Sequence, residues 1–219
     1  MRISVLTTTI RGYEGLGRPA IGLLDQSLSG HQFEWLYEIH DPSEPPDFNA
    51  SMNRLLKKST GELIIFLQDF ILPNKHGIEI FVEAYQNDPN TFYTAPVGKT
   101  LDDKTVEWDW RKDRWYDQEL NSLEWEIDWA CAPREALIKI GGFDEELDKY
   151  WGFDNVNLGV RAEMAGYKFR NIIGNPAMAY DHNKKINHPY QKLRKPDFHN
   201  MRLNQIIRGE VKVSYVWCG

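Results

Sequence analysis

The sequence has few cysteines, no long apolar run and no signal-like start. Its 2 cysteines, Cys131 and Cys218, lie far apart and outside any CxxC pair, which excludes a zinc framework or disulfide scaffold and predicts free thiols. No apolar run approaches the roughly 20 residues that span a bilayer, and "MRISVLTTTI" lacks a secretory signal pattern. We therefore expect a cytoplasmic protein without a transmembrane segment.

Positive charge is also in short supply. Lys and Arg number 26 against 32 Asp and Glu, which gives a formal net charge of −6. Tight nonspecific binding of nucleic acids needs many basic side chains on phosphates, so this balance argues against a nucleic-acid partner. The dinucleotide fingerprint GxGxxG is missing as well, because "RGYEGLGRP" has its glycines in a different order.

The first hundred residues alternate between strand and helix patterns. The strand patterns are "RISVLTTTI", "FEWLYEIHD", "ELIIFLQD" and "TFYTAPV". We expect one helix to open at Pro19, a second to run from a cap at Asp47 to Gly61, and a third to cover residues 76–87. This order predicts an α/β fold with a mostly parallel, Rossmann-like sheet and helices on both faces.

Three polar side chains fall where predicted strands end, namely Asp41, Gln68 and Asp69. In open α/β sheets ligands bind beyond the carboxyl ends of the strands. Asp69 follows a strand that is apolar throughout, and its carboxylate suits a hard divalent cation such as Mg²⁺ or Mn²⁺. A turn-forming aspartate is the alternative interpretation.

Tryptophans cluster in the middle of the chain, where residues 98–124 show no regular period. Trp125 and Trp129 are spaced evenly in the strand pattern "EWEIDWACA", which predicts that they share one face and pack in the core. Trp108, Trp110 and Trp115 lie among charged residues. Flat aromatic faces beside carboxylates suit a carbohydrate acceptor, although core packing is the competing explanation.

The stretch "YWGFDNVNLGVRAEMAG" places Asp154 at the start of a helix pattern. Asp154 or Asn155 could simply cap that helix. An ionised aspartate held at a helix start could also act as a general base, and the neighbouring Trp151 offers a flat face to a sugar ring.

Two blocks together resemble the GT-A glycosyltransferases of family 2, over roughly residues 3–182. One is "LKKSTGELIIFLQDFILP", similar to the strand that leads to the family's DXD motif. The more specific one is "WACAPREALIKIGGFDEELDKYWGFDNVNLGVRAEMAGYKF". The resemblance implies transfer of a sugar from a nucleoside-diphosphate donor, of UDP type, to an acceptor hydroxyl, with a divalent cation and inversion at the anomeric carbon.

The resemblance also implies site residues. It implies donor binding by Asp41, Asn53, Gln68 and Asp69, metal binding by Asp69 and His182, and a base at Asp154. Thr8 is a further donor-binding candidate, and the acceptor-binding candidates are Trp108, Trp110, Trp115, Trp151 and Asn155. The sequence departs from the family's motifs, because DXD is here Gln68-Asp69-Phe70 and Glu-Asp is here Asp154-Asn155.

These departures leave open a sugar- or nucleotide-binding protein without turnover on the same fold. A nucleotidyltransferase is a third interpretation, weakly supported by Arg11 and Arg18 among glycines. We expect residues 1–97 to form the nucleotide-sugar half of one domain and residues 98–182 its acceptor and catalytic half. Residues 183–219 are expected to form a tail over the site.

Overall fold

The computed structural model describes residues 1–41, 43–45, 47–100, 105–113, 118–179 and 191–215. These residues form strands and α-helices that we number in chain order. The strands are β1 Arg2–Thr9, β2 Gln32–Ile39, β3 Leu63–Leu67, β4 Ile71–Pro73, β5 Thr91–Thr94, β6 Val97–Thr100, β7 Val106–Trp108, β8 Gln118–Leu120, β9 Trp129–Pro133, β10 Lys168–Asn171 and β11 Ala177–Ala179. The α-helices are α1 Gly12–Leu24, α2 Phe48–Lys58, α3 Gly77–Asn87, α4 Arg134–Lys139, α5 Asp154–Met164 and α6 Pro196–Ile207.

The main sheet has seven strands in the order β2-β1-β3-β9-β5-β10-β8, and a smaller sheet has the order β4-β11-β6-β7. In the main sheet β1 pairs in parallel with β2 and β3, and β5 with β10. However, β9 runs antiparallel between β3 and β5, and β8 runs antiparallel to β10. The predicted α/β fold with a mostly parallel sheet is confirmed, although the sheet is mixed rather than purely parallel, because β8 and β9 run opposite to the other five strands.

Helices cover both faces of the main sheet, as predicted. On one face α2 contributes Met52, Leu55 and Leu56 to a core that also contains Phe66 from β3. These positions recur at the three- and four-residue spacing of one helix face. On the other face α1 and α3 pack against the side chains of β3 that point the opposite way, such as Ile65.

The predicted start of the first helix was wrong. Helix α1 begins at Gly12, so Pro19 lies inside it rather than in its first turn. Glycines at 12, 15 and 17 give the segment a low helix propensity, which tertiary contact outweighs: Gly15 packs directly on the end of β1, where a Cβ would lie 2.1 Å from Thr9 Oγ1. The predicted end of the next helix was also wrong, because α2 ends at Lys58, before Gly61.

Trp125 and Trp129 are both fully buried, which confirms that they belong to the core. They do not share a face, however. Only Trp129 lies in a strand, and the two indoles pack in the separate cores on opposite sides of the sheet. The predicted strand was too long, and the chain between the two tryptophans turns before β9 begins.

No helix within the described ranges is both long and apolar enough to cross a bilayer.

Candidate active site

Asp69 lies beside the end of the first strand. Its Oδ2 accepts a hydrogen bond from the Thr9 hydroxyl at 2.6 Å and lies 3.8 Å from Arg11 Nε. Asp69 is 8% exposed, so this carboxylate is largely buried. The carboxyl ends of β1 and β3 therefore bring together a carboxylate, a hydroxyl and a cation, which is an arrangement suited to a phosphate-bearing ligand or its counter-cation.

The other predicted metal ligand, His182, lies outside the described residues. Within the described ranges the structure brings together no group of three or more His, Cys, Asp or Glu side chains with the geometry of a metal site. Asp69 and the Thr9 hydroxyl are hard oxygen donors of the kind that Mg²⁺ and Mn²⁺ accept.

The remaining donor-binding candidates lie on different elements of the fold. Thr8 is 9% exposed in β1, and Gln68 donates its backbone N–H to Asp128 O at 3.0 Å. Asp41 is exposed beyond β2, and hydrogen bonds from the Ser43 backbone and hydroxyl lower the pKa of its carboxyl. Asn53 is fully buried in α2, and its side-chain amide forms hydrogen bonds with the backbone N–H and C=O of Phe143. Their roles in binding a donor stay predictions.

Asp154 is presented by an unusual turn. Gly152 has φ of +97°, and Phe153 adopts a left-handed conformation with φ of 67° immediately before α5 begins. A left-handed conformation is uncommon for a bulky residue and is found mostly where the surroundings impose it. The side chain expected to cap α5 does not do so, because Phe153 holds the cap position and no side-chain cap hydrogen bond forms.

The Asp154 carboxylate instead contacts α2. Asn49 Nδ2 donates to Asp154 Oδ1 at 2.7 Å and to Asp148 Oδ1 at 2.9 Å. The pKa of Asp154 is raised to about 6. Burial is the main cause and the nearby Asp144 adds to it, whereas the hydrogen bond from Asn49 lowers the pKa. Burial likewise raises the pKa of Asp148 to about 7. A carboxyl group with a pKa near 6 can exchange a proton close to neutral pH.

Asp148 replaces the cap predicted for α2. Asp47 occupies the cap position, but its side chain forms no cap hydrogen bond and pairs with His40 and Arg54. The backbone N–H groups of Asn49 and Ala50 donate to Asp148 at 2.8 and 2.9 Å. A carboxylate from a distant segment thus caps the helix.

Asn155 ties the start of α5 to the chain ahead of β9. Its Nδ2 donates to Trp125 O and to Glu126 Oε2, each at 3.0 Å. Burial raises the pKa of Glu126 to about 7, and Asp128 adds to the shift. Next to this acidic pair lies Arg111, which is 1% exposed and bonds Asp109 Oδ2 at 2.6 Å.

The sequence pointed to neither Glu126 nor Asn49 as site residues. The only signal for Glu126 was its place between the apolar residues Trp125 and Ile127 in "EWEIDWACA", where strand alternation predicts a side chain that faces solvent. Asn49 carried no local signal, because its partner Asp154 lies 105 residues away along the chain.

The aromatic candidates are separated. Trp108 lies at the end of β7, and the Lys112 ammonium is 4.9 Å from its ring centroid. Trp110 is 38% exposed, whereas Trp115 lies outside the described residues. Trp151 is partly buried, with the Arg194 guanidinium 5.9 Å from its ring. Acceptor binding by these residues and by Asn155 stays a prediction.

Helix α6 packs against the turn that precedes Asp154. The Phe198 ring meets Tyr150 edge-on at 4.6 Å between centroids, and the His199 ring lies 4.7 Å from Phe153. The Arg194 guanidinium, just before α6, is 4.6 Å from the Phe153 ring. The left-handed residue is therefore held between aromatic and cationic side chains.

Two glycosyltransferases of known structure have a similar arrangement of strands and helices. GalNAc-T7 with UDP, GalNAc and Mn²⁺ superposes with a TM-score of 0.66 at 11% identity, over 96% of this chain and 49% of that one. The chain has the GT-A fold. S. aureus TarS in complex with UDP superposes with a TM-score of 0.60 at 13% identity, over 82% of this chain and 60% of that one.

One sequence relative agrees with the GT-A fold. "Probable N-acetylgalactosaminyltransferase 9" of Caenorhabditis elegans is 24% identical over 159 residues, which is 61% of this chain. The match spans 27% of that relative's length, so the chain corresponds to about a quarter of it. No family model matches the sequence.

Proposed function

We propose that the protein is a glycosyltransferase that moves a sugar from a nucleoside-diphosphate donor, of UDP type, to an acceptor hydroxyl. One observation carries the proposal: on a GT-A fold, a single segment, residues 126–128, is hydrogen-bonded both to the residue before Asp69 and to the residue after Asp154. Gln68 bonds Asp128, and Glu126, two residues before Asp128, bonds Asn155. This shared segment supports placing the two candidate carboxylates in one site.

The diphosphate of the donor would lie by Asp69. Asp69 and the Thr9 hydroxyl would hold Mn²⁺ or Mg²⁺, with His182 as a further ligand, and Arg11 adds positive charge beside them. Such a cation supplies stabilisation of the negative charge that develops on the leaving diphosphate. The Mn²⁺ and UDP bound to GalNAc-T7, which shares the fold, support this assignment.

Asp154 would be the base. It takes the proton of the acceptor hydroxyl as that oxygen forms its bond to the anomeric carbon and the bond from that carbon to the diphosphate oxygen breaks. The raised pKa, about 6, gives a carboxylate that is ionised at neutral pH yet more basic than an exposed aspartate. Attack from the face opposite the leaving group gives inversion.

The acceptor would be a carbohydrate or a similar hydroxyl-bearing molecule. Trp108, Trp110, Trp115 and Trp151 are the candidate aromatic faces for it, and Asn155 is a candidate hydrogen-bonding group. The predicted cytoplasmic location stays a prediction and does not enter this argument.

A nucleotide-sugar panel tests the proposal. The protein is incubated with UDP-, GDP- and CDP-sugars with and without Mn²⁺, while nucleotide release and the melting temperature are both measured. Binding to the native state raises the melting temperature by linkage. We expect Mn²⁺-dependent stabilisation by a UDP-sugar together with release of UDP, and loss of release but not of stabilisation in Asp154→Asn.

If a nucleotide-sugar raises the melting temperature of the unmodified protein but no nucleotide is released with any of the acceptors tested, the protein is a binding protein and the enzyme proposal is overturned. The anomeric configuration of the product, read from its ¹H coupling constant, separates inversion from retention. A retained configuration would remove the base role of Asp154.

A further inference from the structure

Two asparagines lie one turn apart on the same side of α2 and both reach the segment between Phe143 and Asp154. Asn53 is satisfied at both ends of its amide: Phe143 N donates to Asn53 Oδ1 at 2.8 Å, and Asn53 Nδ2 donates to Phe143 O at 3.0 Å and Glu145 Oε1 at 2.8 Å. This pattern is that of a buried group that stabilises a loop.

Asn49 has a different pattern. Its Nδ2 is shared between Asp154 Oδ1 and Asp148 Oδ1, at 2.7 and 2.9 Å. Its buried Oδ1 has no hydrogen-bond partner among the residues that the structure describes. An unsatisfied buried acceptor opposes folding, so stability alone does not account for an asparagine here.

The amide of Asn49 is fixed from the side away from Asp154. Asp148 accepts the backbone N–H groups of Asn49 and Ala50 through both of its oxygens, and it also accepts Asn49 Nδ2. Its position is therefore set by the first turn of α2. Because one Nδ2 proton is donated to Asp148, the planar amide directs its second proton towards Asp154 Oδ1.

We propose that Asn49 is a positioning residue that fixes the orientation of the Asp154 carboxylate by sharing its amide between Asp154 and Asp148. This inference rests on the proposed function, in which Asp154 takes a proton from the acceptor. With Oδ1 held by Asn49, Oδ2 is the oxygen directed to the acceptor hydroxyl. Asn49 itself touches no reacting atom.

The neighbouring charges bear on the pH dependence. Asp148 faces Asp154 across the Asn49 amide, and Asp144 lies near with its charge offset by Arg202, whose Nε and Nη2 donate to it at 2.9 and 3.0 Å. Arg194 and His199 act on the same turn through Phe153, while Glu126 acts through Asn155. Asp148 loses the Asn49 Nδ2 bond when Asn49 is replaced but keeps its two backbone donors, and the other contacts named here do not involve the Asn49 side chain, so we expect these groups to stay in place.

The direction of the pH effect follows from the hydrogen bond. Asn49 donates to the ionised form of Asp154 and so favours it. Loss of this donor raises the pKa of Asp154 beyond its present value. Because the base acts when ionised, the acidic limb of the rate profile then moves to higher pH, by about one unit for one charge-assisted hydrogen bond.

The test is a carboxyl ¹³C NMR titration, with Asp154 assigned through Asp154→Asn. We compare the unmodified protein with Asn49→Ala, Asn49→Ser and the matched control Asn53→Ser. We expect Asp154 to titrate about one unit higher in both Asn49 variants, and Asn53→Ser to lower the melting temperature without moving the titration. In the unmodified protein the Asn49 side-chain amide signal should shift with the Asp154 midpoint, a readout that needs no variant.

An Asp154 titration that is unchanged in Asn49→Ser, or shifted equally in Asn53→Ser, would overturn the inference. So would an Asn49 amide signal that does not follow Asp154. The expected titration shift without turnover of any nucleotide-sugar would support Asn49 as the group that holds Asp154 and would refute the proposed transferase. If turnover is found, the rate profile of Asn49→Ser should show the same shift, with kcat affected more than KM.

Discussion

The two carboxylates of the proposed site, Asp69 and Asp154, are held in opposite ways. Asp69 lies beside a hydroxyl and a guanidinium, so positive charge is already built into its surroundings. Asp154 lies among the carboxyls Asp148 and Asp144, and its side chain accepts a hydrogen bond from the neutral amide of Asn49. The first environment suits a carboxylate that binds a ligand, and the second favours a group that exchanges a proton.

Asp154→Asn should break the comparison most completely. The amide is nearly isosteric but cannot accept the proton, so we expect turnover to fall on the order of 10² to 10⁴-fold. Binding of the UDP-sugar, measured by calorimetry, should be nearly unchanged because Asp69 is intact. Wild-type turnover in this variant would place the base elsewhere.

Asp69→Ala should have the complementary effect. Without this oxygen ligand we expect Mn²⁺-dependent affinity for UDP to fall by about tenfold or more, since one lost charge-assisted contact is worth roughly 1.5–3 kcal/mol. Calorimetric titration of UDP with and without Mn²⁺ measures it, and Glu14→Ala on exposed α1 surface serves as a charge-matched control. If Asp69→Ala binds UDP in the presence of Mn²⁺ as tightly as the unmodified protein does, Asp69 is not part of the donor site.

His182→Ala tests whether the cation bound at Asp69 has His182 as a second ligand. A neutral imidazole binds Mn²⁺, whereas the protonated ring cannot, so donor affinity should fall as pH drops through roughly 6.5. The variant should lose that pH dependence. A Mn²⁺ titration identical to that of the unmodified protein would show that His182 is not a ligand.

Asp148→Asn sharpens the electrostatic side of the comparison. The pKa of Asp148 in the folded protein, about 7, lies above its ordinary value of 3.8, so the folded state holds this proton more tightly than the unfolded chain. The free energy of unfolding therefore falls as pH rises from about 4 to about 7. Asp148→Asn removes this titration. The free energy of unfolding of the variant minus that of the unmodified protein should therefore be about 1 kcal/mol larger at pH 8 than at pH 5, after allowance for solvent screening.

Urea unfolding at the two pH values gives that difference. A parallel loss of stability in both proteins would mean that Asp148 titrates in the folded state as it does in the unfolded chain.

Trp110→Ala should have the smallest effect of the set. Its side chain is 38% exposed, so we expect the melting temperature to change little. If the ring stacks on an acceptor, the acceptor KM should rise several-fold while the donor KM stays constant. Trp108→Ala, next to Lys112, is its partner test. Should neither variant change the acceptor KM, acceptor binding lies elsewhere.

Local patterns in the sequence were enough for the layers of the fold but not for the strand order. Strands β1 and β3 carry their own signal: β3 is apolar throughout, which indicates burial on both faces, and β1 is rich in β-branched residues. The antiparallel insertion of β9 between β3 and β5 has no local signal, since it depends on where the chain returns after residues 98–128. The same limit explains why Trp125 and Trp129 were assigned to a single face.

Within the site, single residues were predictable and their connections were not. Asp69 and Asp154 stand out because each ends or begins a regular element. Asn49 and Asp148 matter through contacts that span 98 residues or more, and nothing within a few positions of either residue marks them. Asp47 shows the reverse error, since a suitable residue stood at the cap position of α2 while a distant carboxylate took the role.

Phe153 has a consequence for how much variation this part of the sequence can tolerate. Its backbone conformation would be easiest for glycine, and a β-branched residue would fit it worst. Its ring, however, fills the space between His199 and Arg194, which glycine would leave empty. The two requirements oppose each other, so few amino acids suit the position. A random library there should yield a short list of functional substitutions, mostly aromatic, even though the residue takes no part in the chemistry.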